Sequence, residues 1–311
     1  MASPKTPWGD ITEEEYYARQ GITGTKFRFE SPRGISLFAR TWAPLKGSPS
    51  AIICMIHGYG NDISWTFQNN AIFFAQMGCA AAAIDLPGHG QSDGLKGFVP
   101  NVDHVVNDCI AYFDSIYRDT NVPKFLFGES MGAAICLLIH LAQPQANWSG
   151  AILVAPMCKI SDNVRPSWPV ATFLTFLASL MPTLPIVPTE DLVEKAVKVP
   201  DKRILGRGNP HRYLGKPRLG TVLELLRVTD YVNKQFHNVE LPFIVLHGDT
   251  DVVTDPSVSR ELYEKAKSKD KTLKIYEGMW HSLLFGEPDD NIAIVRKDIT
   301  DWLAHRIVSK S

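Results

Sequence analysis

Hydrophobic and polar residues follow two different patterns along this chain. Residues 25–30 and 35–42 alternate between polar and apolar positions around a turn at 31–34, which predicts an antiparallel hairpin. Residues 51–56 are apolar at every position, which is typical of a strand buried on both faces of a parallel sheet. The pattern therefore predicts an exposed sheet edge followed by a buried sheet centre.

Strands and helices alternate after the hairpin. This order predicts an α/β fold in which a mostly parallel sheet of eight strands carries helices on both faces. A short helix at 12–17, capped by Thr12, precedes the hairpin. The other predicted strands are 80–85, 124–127, 151–155, 243–247 and 272–276, and the other predicted helices are 63–77, 103–118, the segment after Ser130, 257–268 and 289–308.

A long segment, 157–237, interrupts the alternation and contains no clear strand. We interpret it as a helical cap inserted into a core formed by 1–156 and 238–311. Residues 166–189 carry no charge, but prolines leave only about twelve unbroken positions, or about 18 Å of helix, against the ~30 Å of a bilayer core. We therefore expect no transmembrane span.

Three interpretations of this uncharged stretch remain. It is a cap over an apolar pocket, an interfacial helix that makes peripheral contact with a membrane, or an ordinary buried helix. In the first interpretation, its large side chains contribute to an acyl pocket. The candidates are Trp168, Phe173, Phe176, Leu177 and Leu180.

Composition narrows the class of protein. The 311 residues carry a net charge of -1, so we expect no nucleic-acid partner. The five cysteines are odd in number and form no C-x-x-C pair, which favours free buried thiols in a reducing compartment. The N-terminus has no apolar targeting core, so we expect a cytoplasmic protein. The oligomeric state is left open.

The candidate nucleophile lies at 128–132, where a strand ends in Gly-x-Ser-x-Gly and a helix of small residues begins. Strand, sharp turn and helix in this order are typical of a nucleophile elbow with Ser130 at its apex. Side chains at Gly128 and Gly132 would collide with the neighbouring strand and helix. The alternative is a serine in an ordinary glycine-rich turn.

A serine nucleophile needs a base and an orienting acid. His281 follows a strand late in the chain and is the strongest base candidate among nine histidines. Asp249 and Asp251 both follow the strand 243–247, and either is a candidate acid, while one of them is a turn-former. The order Ser, Asp, His is the one found in α/β-hydrolases.

The oxyanion of the reaction needs two backbone N–H groups. One would come from Met131, which directly follows the nucleophile. The other would come from Tyr59, in the glycine-rich turn 57–60 after the first buried strand. A glycine-rich turn at a strand end is by itself weak evidence for an oxyanion hole. Together with the nucleophile elbow at Ser130, it is strong evidence.

Several motifs make a family resemblance specific. Residues 57–65, 85–94 and 128–132 resemble the monoacylglycerol lipase group of α/β-hydrolases, and 271–282 and 286–288 continue the similarity. It is closest to the plant branch, which also contains lysophospholipases and caffeoylshikimate esterases. The resemblance covers nearly the whole chain, cap included.

The resemblance implies a role for each candidate residue. It makes Ser130 the nucleophile, His281 the base and Asp251 the acid, because Asp251 fills the last place of the Gly-x-x-Asp motif. It implies that Tyr59 and Met131 form the oxyanion hole, and it implies neither a cofactor nor a metal.

Three other positions carry a weaker signal. By the resemblance, His89 is a structural turn residue, and Ala133 replaces a glycine that relatives often carry there. His57 and Asp62 form an H-x-x-x-x-D pattern associated with glycerolipid acyltransferases, which we interpret as a coincidence because His57 belongs to the oxyanion turn.

We therefore predict a cofactor-free serine carboxylic-ester hydrolase that binds a small-molecule ester. Monoacylglycerol is the first-choice substrate, and lysophospholipid and caffeoylshikimate are the alternatives. A different class of function is a ligand receptor that keeps the triad. Steady-state turnover of a chromogenic ester separates the two, since a receptor would show one slow turnover.

Overall fold

Eight strands form one sheet in the described part of this computed structural model, which covers residues 6–117, 120–159, 168–187 and 191–307. The strand order is β1-β2-β4-β3-β5-β6-β7-β8. The first two strands form an antiparallel hairpin, β2 pairs antiparallel with β4, and all other neighbours are parallel. The strands are β1 Ile22–Glu30, β2 Ser36–Pro44, β3 Ile52–Ile56, β4 Ala80–Ile84, β5 Lys124–Glu129, β6 Gly150–Val154, β7 Phe243–Gly248 and β8 Lys271–Tyr276.

Helices cover both faces of this sheet, as the alternating pattern predicted. Six helices lie outside the segment between β6 and β7 in the described part: α1 Glu13–Arg19, α2 Gln68–Gln76, α3 Val102–Tyr117, α4 Met131–Ala142, α9 Pro256–Lys265 and α10 Asp289–Ile307. Between β6 and β7 lie α5 Trp168–Leu180, α6 Leu192–Ala196, α7 Pro200–Arg207 and α8 Leu219–Lys234. The side chain of Thr12 accepts a hydrogen bond from the backbone N–H of Glu15, which is the predicted cap of α1.

One predicted helix, 63–77, is wrong at its start. The helix α2 begins only at Gln68, and residues 63–67 form turns. The side chain of Asp62 accepts hydrogen bonds from the backbone N–H and hydroxyl of Ser64, at 2.7 and 2.6 Å. A local side-chain bond of this kind competes with helical backbone bonding, which explains the delayed start.

The core lies on both faces of the sheet. One face packs against α3, α4, α8 and α9, and the other against α1, α2 and α10. The strands β3, β4 and β6 are buried along their whole length, which their apolar sequences predicted. All five cysteines are free and buried, as expected from their positions in apolar runs.

The segment between β6 and β7 is fastened to the core at several points. Trp65 Nε1 donates to the carbonyl of Leu205 at 3.0 Å, and Ser282 N donates to the carbonyl of Ala196 at 3.0 Å. Farther along, Val228 in the second half of α8 belongs to the hydrophobic core itself. Within the described ranges, no helix has the length and apolar character needed to cross a membrane.

Candidate active site

Ser130 stands in a strained turn between β5 and α4. Its φ is 55° and its ψ is -117°, a conformation that non-glycine residues rarely adopt. A Cβ added at Gly128 would lie 2.4 Å from the carbonyl carbon of Gly132, and one added at Gly132 would lie 2.1 Å from the carbonyl oxygen of Ile56. The two glycines of the motif are therefore required by the close approach of β3, β5 and α4.

The loops after β7 and β8 bring the candidate acid and base together. His281 Nδ1 lies 2.7 Å from Asp251 Oδ2. Because this contact occupies Nδ1, Nε2 is the ring nitrogen left to act on a hydroxyl. His281 lines the same cavity as Ser130, whose hydroxyl has no hydrogen-bond partner among the described residues. An imidazole bound to a carboxylate through Nδ1 is a group that can take the proton of a serine hydroxyl during attack on a carbonyl.

The carboxylate of Asp251 is surrounded by donors. Oδ2 also lies 3.0 Å from His247 Nε2 and 2.8 Å from Thr254 Oγ1, and Oδ1 accepts from the N–H groups of Val253 and Thr254 at 2.7 and 3.1 Å. Burial alone would raise the pKa of Asp251, but His281 and His247 hold that pKa well below its usual value. Asp251 is therefore a carboxylate at neutral pH.

Asp249, the alternative acid, lies elsewhere. Its side chain is exposed and accepts a hydrogen bond from the backbone N–H of Gly278 at 2.7 Å. This is the turn-forming role that the sequence left to one of the two aspartates. Of the two, only Asp251 contacts the ring of His281.

The glycine-rich turn after β3 lies against the nucleophile. A Cβ added at Gly58 would lie 3.4 Å from Ser130 Cβ, so the turn approaches the elbow closely. The next residue, Tyr59, lines the cavity, and its hydroxyl donates to the carbonyl of Gly97 at 2.9 Å. Met131 is the first residue of α4, where backbone N–H groups have no partner within the helix. Both candidate donors therefore belong to segments that adjoin Ser130.

The histidines of the two neighbouring motifs have structural contacts. His57 Nε2 accepts from the backbone N–H of Leu86 at 3.0 Å, so Nδ1 carries the proton and donates to the carbonyl of Gly58 at 2.8 Å. Burial lowers the pKa of His57 to about 4 and that of His89 to about 3. Both rings are therefore neutral, and the oxygens of Asp62 are bonded to Ser64 and Asn209.

A cavity of about 330 Å³ opens at Ser130. One part of its wall is apolar and is formed by α6, α8 and the loop after β8. The apolar side chains include Leu192, Val197, Val222, Leu225, Leu283 and Phe285. A cavity of this kind accommodates one small organic molecule with its ester group at the nucleophile.

The expectation that Phe176, Leu177 and Leu180 line this cavity is wrong. Of the described residues that line it, none belongs to α5, while Phe176 is 63% exposed and Leu180 is 65% exposed. The reason is the packing of α5, which buries the small side chain of Ala178, leaves Leu177 half-buried and turns Phe176 and Leu180 outward. The side chains of Trp168 and Phe173, named for the same role, lie outside the described part.

The cavity also contains polar groups that sequence reasoning missed. Glu129 precedes the nucleophile, and its Oε1 accepts a hydrogen bond from Asn70 Nδ2 at 2.8 Å. Burial raises the pKa of Glu129 to about 7, against the opposing effects of Asn70 and the charge of His281. Lys159 and Arg212 line the same cavity. Glu129 was visible as the variable position of the elbow motif, but no local pattern marks Arg212.

The profile of the Hydrolase_4 family, described as serine aminopeptidase S33, matches residues 47–289, a range that includes Ser130, Asp251 and His281. The chain belongs to this family of α/β-hydrolases. The expected fold and the expected membership of the α/β-hydrolase superfamily are thereby confirmed.

Several proteins similar to this α/β-hydrolase are named as esterases or lipases. A caffeoylshikimate esterase of Arabidopsis thaliana is 42% identical over 317 residues, which cover 98% of this chain and 95% of that protein. The human monoglyceride lipase is 29% identical and aligns over 88% of each chain. Among solved structures, a soluble variant of the Saccharomyces cerevisiae monoglyceride lipase with a substrate analog superposes with a TM-score of 0.78, at 22% identity and over 91% of this chain and 94% of that one.

Proposed function

We propose that this α/β-hydrolase is a serine carboxylic-ester hydrolase in which Ser130 is the nucleophile, His281 the base and Asp251 the orienting acid. The observation that carries the proposal is the 2.7 Å contact between Asp251 Oδ2 and His281 Nδ1 in the cavity that contains Ser130 at a strained elbow. No metal or organic cofactor is needed for this chemistry.

The proposed reaction proceeds through an acyl-enzyme. Ser130 Oγ attacks the ester carbonyl as its proton passes to His281 Nε2, and the backbone N–H groups of Tyr59 and Met131 stabilise the oxyanion. The tetrahedral intermediate collapses, the C–O bond to the alcohol breaks, and His281 returns the proton to the leaving alkoxide. Water then attacks the acyl-enzyme in the same way, which releases the acid and restores the serine.

We propose caffeoylshikimate, or an ester of similar chemistry, as the substrate. Two observations support this choice over monoacylglycerol, the first choice from sequence. One is the 42% identity to the Arabidopsis esterase over nearly the full chain. The other is the cavity itself, in which Glu129, Asn70, Lys159 and Arg212 offer polar contacts that a flat aromatic acid joined to a hydroxylated ring would use.

Monoacylglycerol is the second candidate. The apolar wall formed by α6 and α8 suits an acyl chain, and the human relative is a monoglyceride lipase. In that case residues 157–237 would act as a lid, and the exposed side chains of Phe176 and Leu180 would contact a membrane surface. Flotation with phosphatidylcholine vesicles, with wild-type protein and a Phe176→Ser/Leu180→Ser variant, tests that contact.

The decisive experiment compares substrates on one preparation. Caffeoylshikimate, monoacylglycerol and lysophosphatidylcholine are supplied separately, and kcat/KM is determined for each. We expect the highest value for caffeoylshikimate and no turnover by Ser130→Ala, with unchanged circular dichroism. Full activity of Ser130→Ala would refute the assignment of Ser130 as the nucleophile. A single slow turnover of every substrate by wild-type protein would indicate a receptor.

A further inference from the structure

Arg212 is a charged side chain in the catalytic cavity that has no direct partner among the described residues. It lies in the loop between α7 and α8 and lines the same cavity as Ser130. Its guanidinium forms no hydrogen bond and no ion pair with any residue in the described ranges, although the side chain is half-buried. Five N–H donors are thus available to a molecule bound in the cavity.

The backbone around Arg212 is held in place. On one side, the Asn209 side chain donates a hydrogen bond to Asp62 Oδ2, and on the other, Tyr213 N donates to the carbonyl of Gly60 at 2.9 Å. The ring of Tyr213 also meets that of Tyr59 edge-on, with centroids 6.3 Å apart. The loop that carries Arg212 is therefore fixed to the turn that supplies the candidate oxyanion donor.

The two acids whose charges act on Arg212, Asp62 and Asp191, form no hydrogen bond with its guanidinium. Burial lowers the pKa of Arg212, and the charges of Asp62 and Asp191 oppose this effect only from a distance. The oxygens of Asp62 are bonded to Ser64 and Asn209, and those of Asp191 to Val193 and Arg207. A charge that is partly withdrawn from water and has no directional partner is costly, so an anionic ligand gains from binding there.

We propose that Arg212 binds a free carboxylate on the substrate. This inference rests on the proposed ester hydrolysis and specifies its substrate class, an ester with a carboxylate on the part of the molecule that is not cleaved. A guanidinium and a carboxylate match in a planar, two-bonded geometry, and Lys159 adds a second positive charge to the cavity wall. A neutral monoacylglycerol has no group for this site, whereas caffeoylshikimate carries one carboxylate.

A matched pair of substrates tests the proposal. Caffeoylshikimate and its methyl ester differ only in the carboxylate, and release of caffeic acid is followed for both. We expect Arg212→Gln to lower kcat/KM for the acid by about 10- to 100-fold more than for the methyl ester, mainly through KM. Arg212→Lys should recover part of that difference. The matched control is Arg207→Gln, which removes an exposed guanidinium that is paired with Asp191 and Glu194 outside the cavity.

The outcomes separate this inference from the proposed function. If wild-type protein hydrolyses both esters and Arg212→Gln slows them equally, the carboxylate site is refuted while the esterase remains. A larger loss on lysophosphatidate than on caffeoylshikimate would also refute it, because the site would then serve a phosphate. If wild-type protein hydrolyses neither ester, the proposed function and this inference fail together.

A measurement on the wild-type protein does not depend on how the variants fold. We expect shikimate to inhibit hydrolysis of the methyl ester competitively, with an inhibition constant about 10-fold or more below that of methyl shikimate. Equal inhibition by the two compounds would overturn the proposal.

Discussion

Asp251 Oδ2 lies 3.0 Å from Nε2 of His247, the next-to-last residue of β7. The ring of His247 is fully buried, and its Nδ1 contacts the hydroxyl of Ser259 at 2.7 Å. The candidate acid is thus held between two imidazoles, only one of which lines the cavity. We infer that His247 positions the acid and does not touch the substrate.

Replacement of His247 tests this positioning role. In His247→Phe, Asp251 loses a donor while the aromatic shape is kept, so we expect kcat to fall about 10-fold with little change in KM. His104→Phe is the control, since His104 is exposed on α3. Equal kcat values for wild type and His247→Phe would contradict the inference.

The two aspartates after β7 should respond very differently to the same change. Asp251→Asn removes the charge that stabilises the His281 imidazolium and disturbs its tautomer, so we expect kcat to fall about 10³- to 10⁴-fold. Asp249→Asn should alter kcat less than about threefold, because its side chain only closes a turn. The reverse ranking of the two kcat values would assign the acid to Asp249.

Gly132 should tolerate no side chain. In Gly132→Ala, the new Cβ would lie 2.1 Å from the carbonyl oxygen of Ile56, so we expect the free energy of unfolding to fall by more than about 3 kcal/mol. Gly21→Ala is the control. Gly21 has a φ of +71° but open space around it, so we expect a loss of only about 1 kcal/mol. Urea unfolding measures both, and equal losses would show that packing at the elbow is not the constraint.

Glu129 should make stability depend on pH. Burial raises its pKa from 4.5 to about 7, so its contribution to stability is complete below pH 4.5 and is lost as the pH rises to 7, where the buried carboxyl ionises. Gln at this position cannot ionise. We therefore expect Glu129→Gln to gain on the order of 1 kcal/mol over wild type between pH 5 and pH 8, with cavity water reducing the effect.

Thermal unfolding at pH 5, 6.5 and 8 measures this difference. The control is Glu277→Gln, at an exposed position, which should shift Tm by the same small amount at each pH. A constant Tm difference between Glu129→Gln and wild type across the three values would show that Glu129 is already ionised at pH 5.

Local sequence patterns predicted most of the sheet. The predicted strand at 51–56 corresponds to β3, because a run that is apolar at every position has no exposed face. The start of α2 was wrong, because the Asp62 contact with Ser64 is a side-chain bond that periodicity does not register. The outward-facing Phe176 shows the same limitation, since apolar character alone does not say which face of a helix is covered.

The polar surroundings of the site could not be predicted in the same way. The link between His247 and Asp251 depends on the loop after β7 folding back over its own strand. The position of Arg212 depends on contacts between segments about 150 residues apart, such as the bond between Asn209 and Asp62. Long-range approaches of this kind leave no periodic or motif signal in a single sequence.

The hydrogen bond between Tyr213 N and the carbonyl of Gly60 has a practical consequence for protein engineering. Excision of 157–237 to obtain a smaller catalyst would remove the two groups, Asn209 Nδ2 and Tyr213 N, that donate hydrogen bonds to the turn 57–62. It would also uncover the hydrophobic surface beneath α8. Replacing 157–237 by the corresponding segment of a relative would break the same two hydrogen bonds unless the turn 57–62 were exchanged with it. In chimeras between relatives, residues 57–62 and 209–213 should therefore come from the same parent protein.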